Sequence, residues 1–383
     1  MKMLVRGVAA TALALAVSGC SLWGESEVEI EPNPLVSFEA EKSVEVLWSA
    51  DVGAGLGKKY HQFLPAISGD RIFATDHEGR VQAFSRIDGR KDWDVELGVV
   101  ASGGVGAGYG TVALASEDGD VIALDAETGA EQWRAKVSTE VVAAPQMNSD
   151  IVVAQLINGR LVAFDRVSGE RRWTYDSLVP RLTLRGTSAP VVTQDATIAG
   201  FANGKVVAVD NVKGRILWER RAAIPQGRSE LERMVDIDGR PLIAEGRLFL
   251  SSYQGRLVAM DPRKAQILWT QNVSSYRGLA QGFGNVYVSE ADDAVQAFDQ
   301  SSSASVWRQD ALANRMITSP VALGSAVAVA DSLGYLHFMS QVDGRFIARY
   351  EVDGDGVLGD MLVADNVLYV LGNSGRLVAL KLN

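Results

Sequence analysis

Histidine and glycine patterns are the first candidates for chemistry in this chain of 383 residues. The only histidines, His61, His77 and His337, are far apart, and no two of them have the spacing of a metal-binding pair. The run Gly103–Gly108 has the composition of a phosphate-binding loop, but no lysine and no helical pattern directly follow it. We therefore expect solvated loop histidines, and neither a metal site nor a nucleotide site, from these residues.

Cys20 is the single cysteine, so no internal disulfide can form. Lys2 and Arg6 precede an apolar stretch, Val8–Val17, of about ten residues. A membrane-spanning helix needs roughly 20 apolar residues, so this stretch is too short and is typical of a secretory signal peptide. The small residues Ser18–Gly19 stand directly before the cysteine.

This order of features resembles the bacterial lipobox. The resemblance implies that residues 1–19 are a lipoprotein signal peptide and that Cys20 is lipidated, with palmitate among its acyl chains. Two or more acyl chains give stable anchoring, whereas one is marginal. In such lipoproteins an aspartate after the cysteine causes retention in the inner membrane, so Ser21 implies transport to the outer membrane. The alternative is an ordinary free cysteine that is buried in the fold.

Residues 20–43 are predicted to form a flexible acidic tether, because they are rich in glutamate and contain two prolines. The whole chain has a net charge of −10 and no basic run. Nucleic-acid binding depends on lysine and arginine contacts to phosphate, so this composition argues against a nucleic-acid partner.

A repeat fills residues 44–383. One copy runs from Gly119 through Ala123, Asp125 and Gly129 to Trp133. The copies begin at Gly79, Gly119, Gly159, Gly204, Gly255, Asp293, Gly334 and Gly375. One position of the unit is marked by Trp48, Trp93, Trp133, Trp173, Trp218, Trp269, Trp307 and, by this alignment, Tyr350. A period near 40–45 residues with four short strands is typical of a propeller blade.

Each repeated position has a structural role. We expect the small alanine to allow close approach between blades, the aspartate to accept hydrogen bonds from the following turn, and the glycine to adopt a positive φ. The tryptophan should be buried between blades. Because every repeated residue has a structural role, we interpret none of them as catalytic.

The sequence therefore predicts an all-β, eight-bladed β-propeller, with seven blades as the main alternative. The unit that begins at Gly375 lacks its tryptophan strand, whereas residues 45–48 supply such a strand before the first unit. We expect the N-terminal strand to complete the last blade and close the ring. Closure leaves no long exposed sheet edge.

The units Ala-x-Asp-x-x-x-Gly-x-x-x-Trp resemble the repeats of pyrroloquinoline-quinone (PQQ) enzymes. The whole pattern of lipobox, tether and eight units resembles the BamB family, lipoproteins of the outer-membrane β-barrel assembly (BAM) machinery. The resemblance implies a non-catalytic scaffold without a cofactor, anchored to the outer membrane and facing the periplasm. The implied partners are the periplasmic POTRA domains of BamA and other BAM subunits. Nascent outer-membrane proteins are a further candidate partner.

Two non-repeat segments carry the candidate binding residues. BamB proteins have segments similar to those around Leu182, Leu184 and Arg185 and around Asp236 and Asp238, and the resemblance implies that these five residues contact BamA. Both segments connect consecutive blades, so they should lie side by side on one face. In the alternative interpretation both leucines are buried and Arg185 pairs internally with one of the two aspartates.

Two other functions remain open at this point. A PQQ-type dehydrogenase would need a calcium site and often has a vicinal disulfide, which a chain with one cysteine cannot form. A propeller lipoprotein could instead serve another envelope complex or bind unfolded outer-membrane proteins through its strand edges.

Overall fold

The computed structural model of the protein describes residues 31–57, 62–184 and 188–383. Residues 33–383 form one compact unit. The described residues contain 32 strands and no helix, and the strands form eight four-stranded antiparallel sheets. No helix long and apolar enough to cross a membrane occurs within these ranges. The predicted all-β, eight-bladed architecture is confirmed, and the alternative of seven blades is wrong.

Each sheet is one blade of the propeller, and the blades are numbered one to eight in the chain order of their innermost strands. Blades one to four consist of β2 (Ala66–Ser68), β3 (Arg71–Thr75), β4 (Arg80–Ser85) and β5 (Lys91–Glu96); β6 (Gly106–Gly108), β7 (Thr111–Ala115), β8 (Asp120–Asp125) and β9 (Glu131–Lys136); β10 (Gln146–Met147), β11 (Ile151–Gln155), β12 (Arg160–Asp165) and β13 (Arg171–Asp176); and β14 (Val191–Val192), β15 (Ala196–Gly200), β16 (Lys205–Asp210) and β17 (Ile216–Arg221). Blades five to eight consist of β18 (Leu242–Ala244), β19 (Arg247–Ser251), β20 (Leu257–Asp261) and β21 (Gln266–Gln271); β22 (Leu279–Gly282), β23 (Asn285–Ser289), β24 (Val295–Asp299) and β25 (Ser305–Gln309); β26 (Val321–Leu323), β27 (Ala326–Ala330), β28 (Tyr335–Ser340) and β29 (Phe346–Glu351); and β30 (Leu362–Ala364), β31 (Val367–Leu371), β32 (Arg376–Leu382) and β1 (Val44–Asp51).

The last blade is built from both ends of the chain. The N-terminal strand β1 pairs antiparallel with the C-terminal strand β32, from Val44 opposite Leu382 to Asp51 opposite Arg376. Trp48 lies opposite Ala379, and the tryptophan of each of blades one to six likewise lies opposite an alanine of its own blade. The predicted closure of the ring by the N-terminal strand is therefore confirmed.

Tryptophans join neighbouring blades. The Trp173 indole nitrogen donates to the backbone oxygen of Asn211 in the next blade at 2.8 Å, and Trp133 donates in the same way to Arg166 at 2.8 Å. The equivalent bond is also made by Trp48, Trp93, Trp269 and Trp307. The opposite alanines, such as Ala163, are fully buried. Each pair therefore combines a large side chain at the boundary between blades with a small one on the paired strand.

In five blades the turn that receives a tryptophan has a glycine at the point of contact, whereas Ala265 and Ser303 occupy the equivalent position, also at positive φ, in blades five and six. Gly169 has a φ of 73°, and a Cβ atom on it would lie 2.7 Å from the Trp133 ring. Before this turn, Asp165 accepts hydrogen bonds from the backbone nitrogens of Val167 and Ser168 at 3.0 and 2.8 Å. Both predicted roles, positive φ for the glycine and turn acceptor for the aspartate, are confirmed.

Blade seven departs from the predicted register. The residue opposite Phe338 is Ala348, so Ala348 and not Tyr350 occupies the tryptophan position. The large and small residues have exchanged strands, which keeps the combined volume of the pair similar. The assignment of Tyr350 to this position is wrong because it followed aromatic type rather than distance from the turn glycine: Gly344 precedes Ala348 by four residues, as Gly169 precedes Trp173.

Residues 33–43, called the docked segment, contain no strand or helix but lie against blade seven. Arg315 donates to the backbone oxygen of Asn33 at 2.8 Å, and Arg349 donates to that of Val36 at 2.9 Å. The Phe38 ring lies 4.9 Å from the Arg349 guanidinium. The sequence predicted a tether here; this part of it is extended, but it is bound along its length.

Beneath the docked segment lies a buried polar chain. Arg315 donates to the Asp331 carboxylate at 2.6 Å, and His337 Nε2 lies 2.9 Å from the same carboxylate oxygen. Arg349 Nε contacts His337 Nδ1 at 3.2 Å. Burial lowers the pKa of His337. This histidine is a core residue of β28, so the expectation of a solvated loop histidine is wrong for it.

Candidate partner-binding site

The two predicted segments are adjacent in the structure. They are the connections between β13 and β14 and between β17 and β18. The Leu184 backbone nitrogen donates to a carboxylate oxygen of Asp236. Ser188 Oγ donates to the backbone oxygen of Gly239 at 3.0 Å. These bonds tie the two connections together, so the expectation that they lie side by side is met at Leu184 and Asp236.

The second connection is anchored in the fold by backbone contacts. Tyr253 N donates to the backbone oxygen of Asp236 at 2.9 Å. A Cβ atom on Gly239 would lie 2.1 Å from the backbone oxygen of Arg277, so only glycine fits at this position. The candidate residues are therefore presented from a rigid base rather than from a free loop.

The two aspartates are electrostatically unusual. Asp236 is fully buried, and its second carboxylate oxygen has no hydrogen-bond partner among the residues that the structure describes. Burial raises the pKa of Asp236 to about 6, an effect partly opposed by the Leu184 hydrogen bond. Burial, and then the nearby charge of Asp236, raise the pKa of Asp238 to about 8. Desolvation disfavours the charged form of an acid, and two neighbouring acids reinforce that effect.

The two leucines are not fully buried, as the alternative interpretation requires. Leu182 is 42% exposed, and Leu184 is half-buried at the edge of the central channel. The interpretation in which both leucines are buried is therefore wrong. Arg185 and Cys20 lie outside the described residues, so the internal pairing of Arg185 and the lipidation of Cys20 remain predictions.

Further apolar side chains on the same two connections were missed from the sequence. Leu178 is 86% exposed and Leu231 is 60% exposed, and Val179 and Ile224 are also exposed. Exposed apolar side chains in clusters are typical of protein-binding surfaces. The available signal was that these residues lie between strands, where no sheet face requires an apolar side chain.

The connections surround the mouth of a central cavity of about 560 Å³. Each of the eight blades contributes lining residues just before its innermost strand; they include Leu64, Gly104, Val142, Leu184, Arg240, Arg277, Met316 and Asp360. Burial lowers the pKa of Arg240, and the charge of Asp360 opposes this shift. The candidate residues Leu184 and Asp238 both line this cavity.

The cavity does not fit the metal-dependent quinone chemistry of the propeller dehydrogenases. Among the described residues, no group of three or more histidine, cysteine or acidic side chains could hold a metal ion. The single cysteine, at position 20, also excludes a vicinal disulfide. The described part of the chain therefore offers no cluster of acidic ligands for the calcium ion of such a cofactor.

Comparisons with known proteins agree on one family. The family model described as "Outer membrane protein assembly factor BamB" matches residues 77–309 and 291–383. Proteins of that name from Pseudomonas aeruginosa and Escherichia coli are 48% and 32% identical, in matches that cover 96% and 99% of this chain and 96% and 98% of theirs.

Comparison with solved structures shows that known proteins share this fold. The crystal structure of BamB from Moraxella catarrhalis has a TM-score of 0.82 and 26% identity, and the match covers 88% of this chain and all of that one. A quinohemoprotein alcohol dehydrogenase from Pseudomonas putida has a TM-score of 0.70 at 12% identity, over 88% of this chain and 76% of the enzyme, which shows the shared fold alone. The chain belongs to the BamB family of outer membrane protein assembly factors, which are not enzymes.

Proposed function

We propose that this chain is the lipid-anchored scaffold subunit of the outer-membrane β-barrel assembly machinery and that its two tied connections bind the POTRA domains of BamA. The relatives are named as assembly factors. The observation that carries the binding proposal is the set of exposed apolar side chains on two connections joined by the Leu184–Asp236 bond. An apolar centre with a polar rim is the usual form of a protein interface.

The rigid base matters for affinity. A preorganised surface loses little conformational freedom on binding, so more of the contact energy appears as affinity. Leu182 and Leu178 would insert into the partner, while the half-buried Leu184 would hold the loop in place. Arg185 is proposed to contact an acidic group of BamA, since arginine is common at the centre of interfaces.

The binding proposal is tested with purified POTRA domains of BamA and the soluble propeller. We expect Leu182→Ser, Leu184→Ala and Arg185→Ala each to weaken binding by on the order of tenfold, with melting temperatures close to that of the unchanged protein. Ile87→Ser is the matched control, because Ile87 is 80% exposed in the turn of blade one, away from both connections. Unchanged POTRA binding by all three variants would remove the proposed surface.

The anchor is tested separately. If Cys20 carries the lipid, Cys20→Ala should appear in the soluble periplasmic fraction, because the apolar stretch alone is too short to hold it in a bilayer. Recovery of that variant in the outer-membrane fraction would contradict the anchor but leave the binding proposal intact.

A further inference from the structure

Blade seven shows how an outer strand of this propeller binds an extended acidic segment. Arg345, just before β29, donates to both carboxylate oxygens of Glu41 at 2.7 and 2.9 Å. The backbone nitrogens of Glu41 and Lys42 donate to the backbone oxygen of Ile347 at 2.9 and 3.1 Å. An arginine and the backbone of the outer strand therefore hold the charge and the backbone of the docked segment.

An apolar contact completes this arrangement. The Phe38 ring packs on the Phe346 ring at a centroid distance of 5.7 Å. Phe346 and Ile347 are both buried. Ile347 is the extra residue of a β-bulge, because Met339 pairs with Phe346 and Phe338 with Ala348. The triplet Arg-Phe-Ile, which follows the turn glycine, thus supplies one charge and two apolar residues.

Blade four repeats this triplet at the same register and leaves it uncovered. Gly214 is followed by Arg215, Ile216 and Leu217. Val209 pairs with Ile216, and Leu217 is again the extra residue of the bulge. Ile216 and Leu217 are 53% and 54% exposed, and the Arg215 side chain has no ion pair within the described ranges.

Blade five extends the same surface. Ile267 and Leu268 occupy the corresponding positions of β21, again with Leu268 as the bulge residue, and both are exposed. Blades four and five are neighbours, so their outer strands present two apolar pairs in succession around the rim. This rim surface, Arg215–Leu217 with Ile267–Leu268, is separate from the connections that carry Leu182 and Leu184.

The charge of this part of the chain favours an acidic partner. Residues 205–271 contain twelve lysines and arginines and eight aspartates and glutamates, a formal charge of +4. The whole chain has 37 basic and 47 acidic residues, so the remainder has 25 and 39 and a charge of −14. A basic region on an otherwise acidic protein attracts acidic segments of a partner.

We propose that the rim surface of blades four and five binds an extended acidic segment of another polypeptide, in which apolar side chains precede a glutamate. The occupant would use the contacts that the docked segment makes on blade seven: carboxylate to Arg215, backbone to the bulge, and apolar side chains on Ile216 and Leu217. A free outer strand offers unpaired backbone groups to such a segment. This inference does not depend on the proposed BamA contacts.

One difference lowers the expected affinity. At the position of Arg349, which stacks on Phe38 in blade seven, blade four has Glu219. Glu219 forms an ion pair with Lys205 at 2.7 Å, and a carboxylate cannot make the cation–π contact that Arg349 makes with an aromatic ring. The occupant of blade four therefore lacks a cation–π contact and binds reversibly.

The probe is a fluorescent synthetic peptide with the sequence of residues 33–43, titrated into the soluble propeller that retains its own docked segment. We expect saturable binding that Arg215→Glu weakens on the order of tenfold and Leu217→Ser weakens as well. Arg90→Glu is the matched control, because Arg90 follows the turn glycine of blade one but precedes Lys91 and Asp92. A peptide with lysine in place of both glutamates should not bind.

A photo-crosslinker at the Phe38 position of the peptide identifies the site. Crosslinks at residues 215–217 or 267–268 would support the proposal. Crosslinks only at residues 345–347 would show exchange on blade seven and would overturn it. The proposal also fails if no binding is seen, if Arg215→Glu has no effect, or if Arg90→Glu is equally damaging.

Discussion

Replacing Asp236 by asparagine should remove a pH-dependent cost from the folded protein. Asp236 is fully buried, and burial raises its pKa from 3.8 to about 6. At 1.36 kcal/mol per pKa unit, this shift corresponds to about 3 kcal/mol. Asparagine retains an oxygen that can accept the Leu184 hydrogen bond, so the substitution removes the titration while keeping the contact.

The direction of this pH dependence follows from the number of protons bound by the folded and unfolded states. Between pH 3.8 and about 6 the folded state holds a proton on Asp236 that the unfolded state has released. The free energy of unfolding therefore falls as pH rises through this window, and the full cost is present above pH 6. The Asp236→Asn variant has no such cost. In that variant Asp238 also loses a nearby charge that raises its pKa, which acts in the same direction.

The assay is urea unfolding, followed by tryptophan fluorescence, of both proteins at several pH values from 4 to 8. We expect the stability of Asp236→Asn relative to the unchanged protein to increase by about 3 kcal/mol over this range. Asp165→Asn is the control, since Arg172 and the turn hydrogen bonds hold the pKa of Asp165 below its ordinary value of 3.8. Its titration therefore lies below this pH range, and the variant should be less stable by a nearly constant amount from pH 4 to 8. A difference for Asp236→Asn that does not change with pH would refute the buried-acid explanation.

Three further outcomes are expected from thermal and urea unfolding. Gly169→Ala should cost about 3 kcal/mol, because it combines an unfavourable positive φ with a clash against a tryptophan ring, whereas Gly246→Ala, at a similar φ with nothing nearby, should cost about 1 kcal/mol. Trp173→Phe should cost about 1 kcal/mol more than Trp218→Phe, since only the first loses an indole hydrogen bond found within the described residues. A soluble form without the docked segment should fold but melt at a lower temperature, because the buried Arg315 and the half-buried Arg349 lose their backbone acceptors.

Most of the fold could be predicted from the sequence because each repeated residue has a local physical cause. Gly169 is required by a positive φ, Trp173 by the boundary between blades, and Ala163 by the register opposite that tryptophan. Closure could be predicted because a tryptophan strand was missing at one end of the chain and present at the other. These constraints act within one unit or between neighbours, so a single sequence reveals them.

The features that could not be predicted from the sequence depend on contacts between distant parts of the chain. The docked segment has the composition of a tether, and only its Phe38, together with Arg349 some 311 positions later, indicates binding. The exchange of Phe338 and Ala348 conserves volume across two strands; the distance from Gly344 marks the position of Ala348, but its residue type does not. At the candidate site, the pairing of the two connections was predictable from chain order, but the burial of Asp236 was not.

The pairing of β1 with β32 has a consequence for biogenesis. The first strand of the fold gains its partner only when the last strand has been synthesised, since Val44 pairs with Leu382. Contacts of such high sequence separation slow folding, and until they form the last blade lacks its outer strand and leaves the edge of β32 open. We therefore expect the newly synthesised chain to be sensitive to proteases until its last strand is complete, and a truncation that removes β32 to leave it permanently sensitive.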